Sequence, residues 1–208
     1  MEVLVVGNTA YVDDDFCAKA FPGDHVQVVA AAEARRDESS PHASWKELLQ
    51  HLDQAYEFDR VVYLSNYLTP HTDTVGDIET LRSVFRACAG RRVQLLYVAG
   101  PAGAEGAADA AGRTGKGIIA RAANDLCRYY AAREGVQTKI LRVPFLYTAS
   151  AALEDPFLAP LFDACLTGSV ALQGAQDAAF PLLCAEELAV LVRRIFDSWD
   201  GNFETLDV

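Results

Sequence analysis

No stretch of the 208 residues is long and apolar enough to span a bilayer. Nor does a basic region, an apolar helix or a small-residue cleavage site follow Met1, which enters a strand directly. Without either signal, the expected setting is the cytosol. Positive charge is scarce: 18 Lys and Arg against 29 Asp and Glu leave a net charge of -11. That balance argues against binding nucleic acid or an anionic membrane and leaves a basic protein surface as a permissible partner. No CxxC pair occurs, and Cys17, Cys88, Cys127, Cys165 and Cys184 are odd in number, widely spaced and set among apolar residues. They read as core thiols of a reducing compartment. Four isolated histidines, His25, His42, His51 and His71, lack the spacing of metal ligands, so no metal is expected.

What the chain has is apolar content, 51% of its residues, enough for one substantial core and hence a single domain over 1-208. Short β-rich runs alternate with helical patterns, the mark of βαβ units and a parallel sheet covered on both faces. Strands are predicted at 2-7, 25-31, 60-65, 92-99, 137-143, 169-173 and 202-207. A first helix is expected over 13-20, ended by Pro22-Gly23. Ser44 and Glu47 form a capping box for a helix carrying Trp45, Leu48, Leu49 and Leu52. Helical spacing of Ile78, Leu81, Val84, Phe85 and Cys88 marks 77-88, and that of Ile119, Ala122, Ala123, Leu126, Cys127 and Tyr130 marks 118-132. The Gly- and Ala-rich segment 100-117 reads as a long mobile loop at the ligand edge. No internal repeat or linker is visible.

After the strand Glu2-Val3-Leu4-Val5-Val6 comes Gly7-Asn8-Thr9-Ala10-Tyr11-Val12-Asp13-Asp14-Asp15, where a dinucleotide-binding fold places its phosphate loop. Such a loop needs glycines for close backbone approach and a helix start that offers free N-H groups to the pyrophosphate. Only Gly7 remains; Ala10 and Asp13 stand at the later glycine positions, and three carboxylates follow. One carboxylate-phosphate pair about 4 Å apart costs about 4 kcal/mol at an effective dielectric of 20, enough to cancel anion binding at a helix start. Asp13 also suits an ordinary N-cap. On either reading the site is already occupied. The candidate cofactor cleft is therefore vestigial, made of Gly7, Asn8, Thr9, Ala10, Tyr11, Val12, Ser65 and Asn66. No cofactor is expected; were the cleft functional, it would take NAD or NADP.

Further stretches carry a resemblance: Phe58-Asp59-Arg60-Val61-Val62-Tyr63-Leu64-Ser65, Arg92-Val93-Gln94-Leu95-Leu96-Tyr97-Val98, Ile140-Leu141-Arg142-Val143-Pro144-Phe145-Leu146-Tyr147, and Phe180 to Leu191. In order and spacing these resemble the epimerase/dehydratase branch of the short-chain dehydrogenase/reductase superfamily, along nearly the whole chain. The resemblance implies a Rossmann-like doubly wound α/β sheet with helices on both faces, lacking most of the family's C-terminal substrate region. It also implies a Tyr, a Lys four residues later and a Ser or Thr as the catalytic groups. If Arg121 and Asp125 match the family's Lys and the acid after it, Gly117 stands where the Tyr belongs. The hydroxyl-bearing strand ends in Ala99, Gly100, Pro101 and Ala102, with no hydroxyl before Thr114, and Asp77 replaces a common Asn. The chain is thus similar to a pseudoenzyme, with no catalytic residue to name.

Other arrangements remain open at this stage. Tyr129 and Arg133 make a Tyr-x-x-x-Arg pair two turns into the helix, at the place of a packing aromatic. Tyr63, Tyr67 and Lys116 could converge as an unorthodox acid-base set. Thr114-Gly115-Lys116-Gly117 is similar to a phosphate-loop fragment, yet lacks the upstream glycine spacing and does not follow a strand, and so reads as a flexible turn. Arg35 and Arg36 could meet an NADP phosphate and Glu33 a ribose, or all three could be solvated. Ser65 and Asn66 are placed to meet a ligand or to cap the next turn. The reading is a noncatalytic module for protein interaction, sensing or regulation, against an atypical NAD(P)-dependent oxidoreductase or epimerase, or a sensor of cationic or neutral metabolites using Asp13 to Asp15. The resemblance further implies a homodimer through the helices at 77-88 and 118-132, with Arg82, Arg86, Arg128 and Tyr129 in the interface. A protein partner or a fused output domain is the other expected contact, since 202-208 is similar to a strand after which family members continue.

Overall fold

The computed structural model describes residues 1-7, 11-30, 58-65, 74-100, 115-148 and 182-208. The strands are β1 (Glu2–Gly7), β2 (His25–Ala30), β3 (Arg60–Leu64), β4 (Gln94–Ala99), β5 (Gln137–Arg142), β6 (Phe145–Tyr147), β7 (Leu182–Cys184) and β8 (Phe203–Asp207). The helices are α1 (Asp14–Ala20), α2 (Thr74–Cys88), α3 (Gly115–Arg133) and α4 (Ala185–Asp197). Six strands form one parallel sheet in the order β2-β1-β3-β4-β5-β8. Pro144, which has no N-H for a ladder, separates β5 from β6, and β6 pairs with β7 in a small second sheet.

Strand residues alternate between two cores, as a pleat covered on both sides requires. Val3, Val5, Val62, Leu64, Leu96, Val98 and Leu141 pack under α1 and α4 with Phe16, Leu188, Val192 and Phe196. Leu4, Val6, Val61, Tyr63, Leu95, Tyr97 and Ile140 pack under α2 and α3 with Leu81, Phe85, Cys127 and Tyr130. The rings of Phe85 and Tyr130 stack with centroids 4.7 Å apart and join those two helices. At the β8 edge, the buried Lys139 ammonium donates to Asp200 at 2.9 Å and Glu204 at 2.6 Å and lies 5.4 Å from the Trp199 ring centroid. Burial works against that charge, but the hydrogen bonds it donates to the Glu204 and Asp200 carboxylates, with their negative charge, outweigh it and raise the lysine pKa.

Six predicted strands stand within two residues of their expected bounds. The predicted strand at 169-173 and the helix capped by Ser44 lie outside the described residues. Two helix starts need correction: α2 begins at Thr74 rather than 77, and α3 at Gly115 rather than 118. Gly115 to Gly117 therefore form a helical first turn, not a flexible one. Glycine's low helix propensity masks that turn in the sequence, and packing against the sheet overrides it. The rest of the segment read as a mobile loop, up to 114, lies outside the described residues.

Among the described cysteines, Cys88 and Cys127 are buried and Cys17 and Cys184 are partly exposed. Burial pushes the Cys88 thiol up to about 12 and Cys127 higher still. Unfolded thiols ionise near 9, so from pH 9 upward the unfolded chain loses protons that the folded chain keeps, and stability falls. The urea midpoint is expected to be lower at pH 10.5 than at pH 8, by an amount that shrinks in the Cys88→Ala, Cys127→Ala variant; equal midpoints in the parent would refute this. In labelling with a maleimide followed by mass spectrometry, Cys17 and Cys184 should react well before Cys88 and Cys127.

Candidate functional site

β1 and β3 are neighbours, yet the helices that follow them cover opposite faces of the sheet. Their carboxyl ends therefore open a crevice, the position at which open α/β sheets take ligands. Gly7 forms its floor. With φ +107° it faces Leu64 so closely that an added Cβ would lie 2.0 Å from the Leu64 carbonyl oxygen. The Tyr11 side chain is buried in the core beneath α1, and the partly buried Val12 packs against it. Asn8, Thr9, Ala10 and Asn66 lie outside the described residues, as do Glu33, Arg35, Arg36 and Tyr67.

Asp13 is the N-cap of α1, and its Oδ1 accepts the Phe16 N-H at 2.7 Å. Asp14 and Asp15 occupy the exposed first turn. The helix start that would hold a pyrophosphate instead holds a carboxylate of the chain itself, with two more beside it. Among the described residues this edge does not fit a dinucleotide phosphate. Burial, helped by Asp14 and Asp13, raises the pKa of the neighbouring Cys17 thiol, so that thiol is not an activated nucleophile.

Across the crevice, Tyr63 and Ser65 alternate along one strand and so share one face, where both meet α2. The Tyr63 hydroxyl donates to Asp77 Oδ1 at 2.6 Å and lies 3.0 Å from the Asp77 carbonyl oxygen. Ser65 Oγ donates to Asp77 Oδ2 at 2.9 Å. All three residues are buried. Burial first, then the Asp77 charge and hydrogen bond, push the Tyr63 pKa well above the usual phenol value. Tyr63 is thus a locked donor within the core, not the exposed acid of the unorthodox set; the Lys116 side chain is outside the described residues. Ser65 is buried and its hydroxyl is held by Asp77; the turn it was expected to cap lies outside the described residues. The sequence singled out Asp77 only as a replacement for Asn. The available signal was a first-turn acid facing two hydroxyls at i and i+2 of the preceding strand.

The residues that the resemblance set against the family's catalytic groups take these places in the fold. Gly117 is buried in the first turn of α3, Arg121 is exposed, and β4 ends at Ala99 followed by Gly100. Tyr129 is 54% exposed, lying edge-on to Tyr130, so the packing aromatic at this level of α3 is Tyr130 rather than Tyr129. Tyr129 and Arg133 sit toward the far end of α3, about 18 and about 24 Å along the axis from Gly117. Among the described residues no group of three or more His, Cys, Asp or Glu side chains is arranged to hold a metal, and no helix is long and apolar enough to cross a membrane.

This topology and crevice define the Rossmann-like fold of the NAD-dependent epimerases and dehydratases. The likeness runs along the whole chain. The structure of a dTDP-glucose 4,6-dehydratase from Streptomyces venezuelae with NAD bound superposes with a TM-score of 0.74 at 13% identity, covering 100% of this chain and 76% of that one. The Bordetella bronchiseptica enzyme WbmF in complex with NADH gives 0.71 at 15% identity, covering 99% and 70%. A UDP-N-acetylglucosamine 4-epimerase from Bacillus cereus gives 0.71 at 13%, covering 100% and 75%. No protein-family profile and no curated protein sequence matches the chain. At such identities the shared property is the fold.

Proposed function

We propose that the chain is a noncatalytic, cytosolic Rossmann-like domain that works through contact with another protein or as a regulatory module. The observation that carries this reading is the Asp13 carboxylate on the Phe16 N-H, which fills the helix start a dinucleotide would need. Supporting it, Gly117 offers no phenol, Ala99 no hydroxyl, and the Tyr63 hydroxyl is committed to Asp77. The alternative, an atypical NAD(P)-dependent oxidoreductase or epimerase, loses Tyr63 from its proposed acid-base set for the same reason.

Calorimetric titration with NAD, NADH, NADP and NADPH, preceded by an absorbance scan for copurified nucleotide, tests the reading. No heat and no thermal shift are expected at millimolar cofactor. Saturable binding at micromolar concentration would overturn it and restore the oxidoreductase. Asp13→Ala is expected to leave the titration blank while lowering stability by about 1 kcal/mol through loss of the cap.

A further inference from the structure

The layer formed by α2 and α3 presents an outward face whose charge is opposite to that of the protein as a whole. The exposed positions of α2 fall at Glu79, Arg82 and Arg86, and those of α3 at Ile118, Arg121, Ala122, Asp125, Arg128, Tyr129, Ala132 and Arg133. Both sets repeat at helical spacing, and the two helices pack side by side on the same face of the sheet. The two stripes therefore form one continuous surface. It carries five arginines and two carboxylates, on a chain whose net charge is -11.

Those arginines have no ion-pair partner among the described residues, whereas two cations of the α1 and α4 layer are paired. There, Lys19 meets Glu186 at 2.6 Å and Arg193 meets Asp197 at 3.6 Å. The Arg128 guanidinium lies 5.9 Å from the Phe203 ring centroid on β8. Between the cations stand Ile118 and Tyr129, two large apolar side chains 53% and 54% exposed. Arginine and tyrosine are the residues that anchor protein interfaces, and a guanidinium fork engages a carboxylate in two parallel hydrogen bonds.

We propose that this face docks an acidic polypeptide segment of a partner protein, an amphipathic helix whose carboxylates meet the arginines and whose apolar side chains cover Ile118 and Tyr129. The proposal rests on the noncatalytic reading above and names the partner class for it. A second copy of the chain fits the face less well. Each copy would bring five guanidiniums and two carboxylates to a two-fold contact, leaving a surplus of like charge on both sides. Nucleic acid fits less well too, because the net negative charge of the whole molecule repels a polyanion, whereas a short peptide brings few charges into that field.

The test uses the full chain and a fluorescent peptide of about 18 residues with Leu at i, i+3, i+4 and i+7 and Glu at the positions flanking that stripe. Saturable binding is expected that weakens as salt rises from about 50 to about 300 mM. The Arg86→Glu, Arg121→Glu variant should lose at least about tenfold in affinity with its melting temperature unchanged. Tyr129→Ala should lose about fivefold, and Arg194→Glu on the opposite layer should bind like the parent, which separates a local site from net charge. The proposal is overturned by no saturable binding, by equal binding to the arginine-reversal variant, or by a DNA duplex that binds more tightly than the peptide. A dimer in sedimentation that dissociates on reversing Arg86 and Arg121 would overturn it as well. Cofactor binding would sink the noncatalytic reading without altering any of these outcomes, so the two can fail separately.

Discussion

Replacing Gly7 with alanine is expected to remove most of the stability of this protein. The added Cβ would stand 2.0 Å from the Leu64 carbonyl oxygen, a backbone atom fixed in the pairing of β1 with β3, so no side chain can swing away to relieve the clash. The φ of +107° adds a second cost, because L residues rarely occupy that region. A backbone held there costs about 1–3 kcal/mol by itself. With the separation of two central strands on top, the loss should reach at least about 4 kcal/mol, a large part of the roughly 5–15 kcal/mol that holds a domain together. Gly23→Ala is the control: its φ is +83° but nothing lies within 4 Å of the added Cβ, and about 1 kcal/mol is expected. Urea unfolding of both variants separates clash from backbone strain, and a Gly7→Ala midpoint as mild as that of Gly23→Ala would refute the account. The same glycine that a phosphate loop uses for close approach is thus required here by the sheet alone.

The second large effect is expected at Asp77. Alanine there removes the carboxylate bonded to two buried hydroxyls: Ser65 loses its bond at 2.9 Å and Tyr63 its bond at 2.6 Å, while the Asp77 main-chain oxygen stays 3.0 Å from the phenol. A hydrogen bond to a charged group contributes about 1.5–3 kcal/mol, and two are removed here, so a loss of about 3 kcal/mol is expected. Asp77→Asn keeps one acceptor oxygen and offers an N-H to the other hydroxyl, and about 1 kcal/mol should be lost. Tyr63→Phe removes one donor and leaves the carboxylate with Ser65; about 1–2 kcal/mol is expected. The order Asp77→Ala, then Tyr63→Phe, then Asp77→Asn, measured by denaturant unfolding, is the check. An Asp77→Ala protein within about 0.5 kcal/mol of the parent would show that the carboxylate does not hold β3 to α2.

Much of the architecture was legible because period and punctuation were strong. Apolar runs such as Val3 to Val6 and Leu95 to Val98 could only be buried on both sides, which identifies a parallel sheet before any coordinates. Pro22-Gly23 and the acids at 13 to 15 marked both ends of α1. The early turns of α2 and α3 were less legible, since Gly76, Gly115 and Gly117 read locally as loop, and only packing against the sheet makes them helix. The pairing of β6 with β7 was likewise hidden, because it joins three-residue segments separated by more than thirty positions.

The site divides in the same way. The sequence by itself determined that the loop after β1 carries one glycine followed by acids and that β4 ends without a hydroxyl; these are matters of residue identity, and folding cannot supply a missing functional group. Tertiary structure decided where the remaining groups point. Tyr63 and Ser65 were candidates for the crevice until the strand's alternation turned both onto α2, where Asp77 holds them. Arg82, Arg86, Arg121, Arg128 and Arg133 are scattered over fifty positions of an acidic chain, and they become one surface only because the two helices that carry them lie side by side.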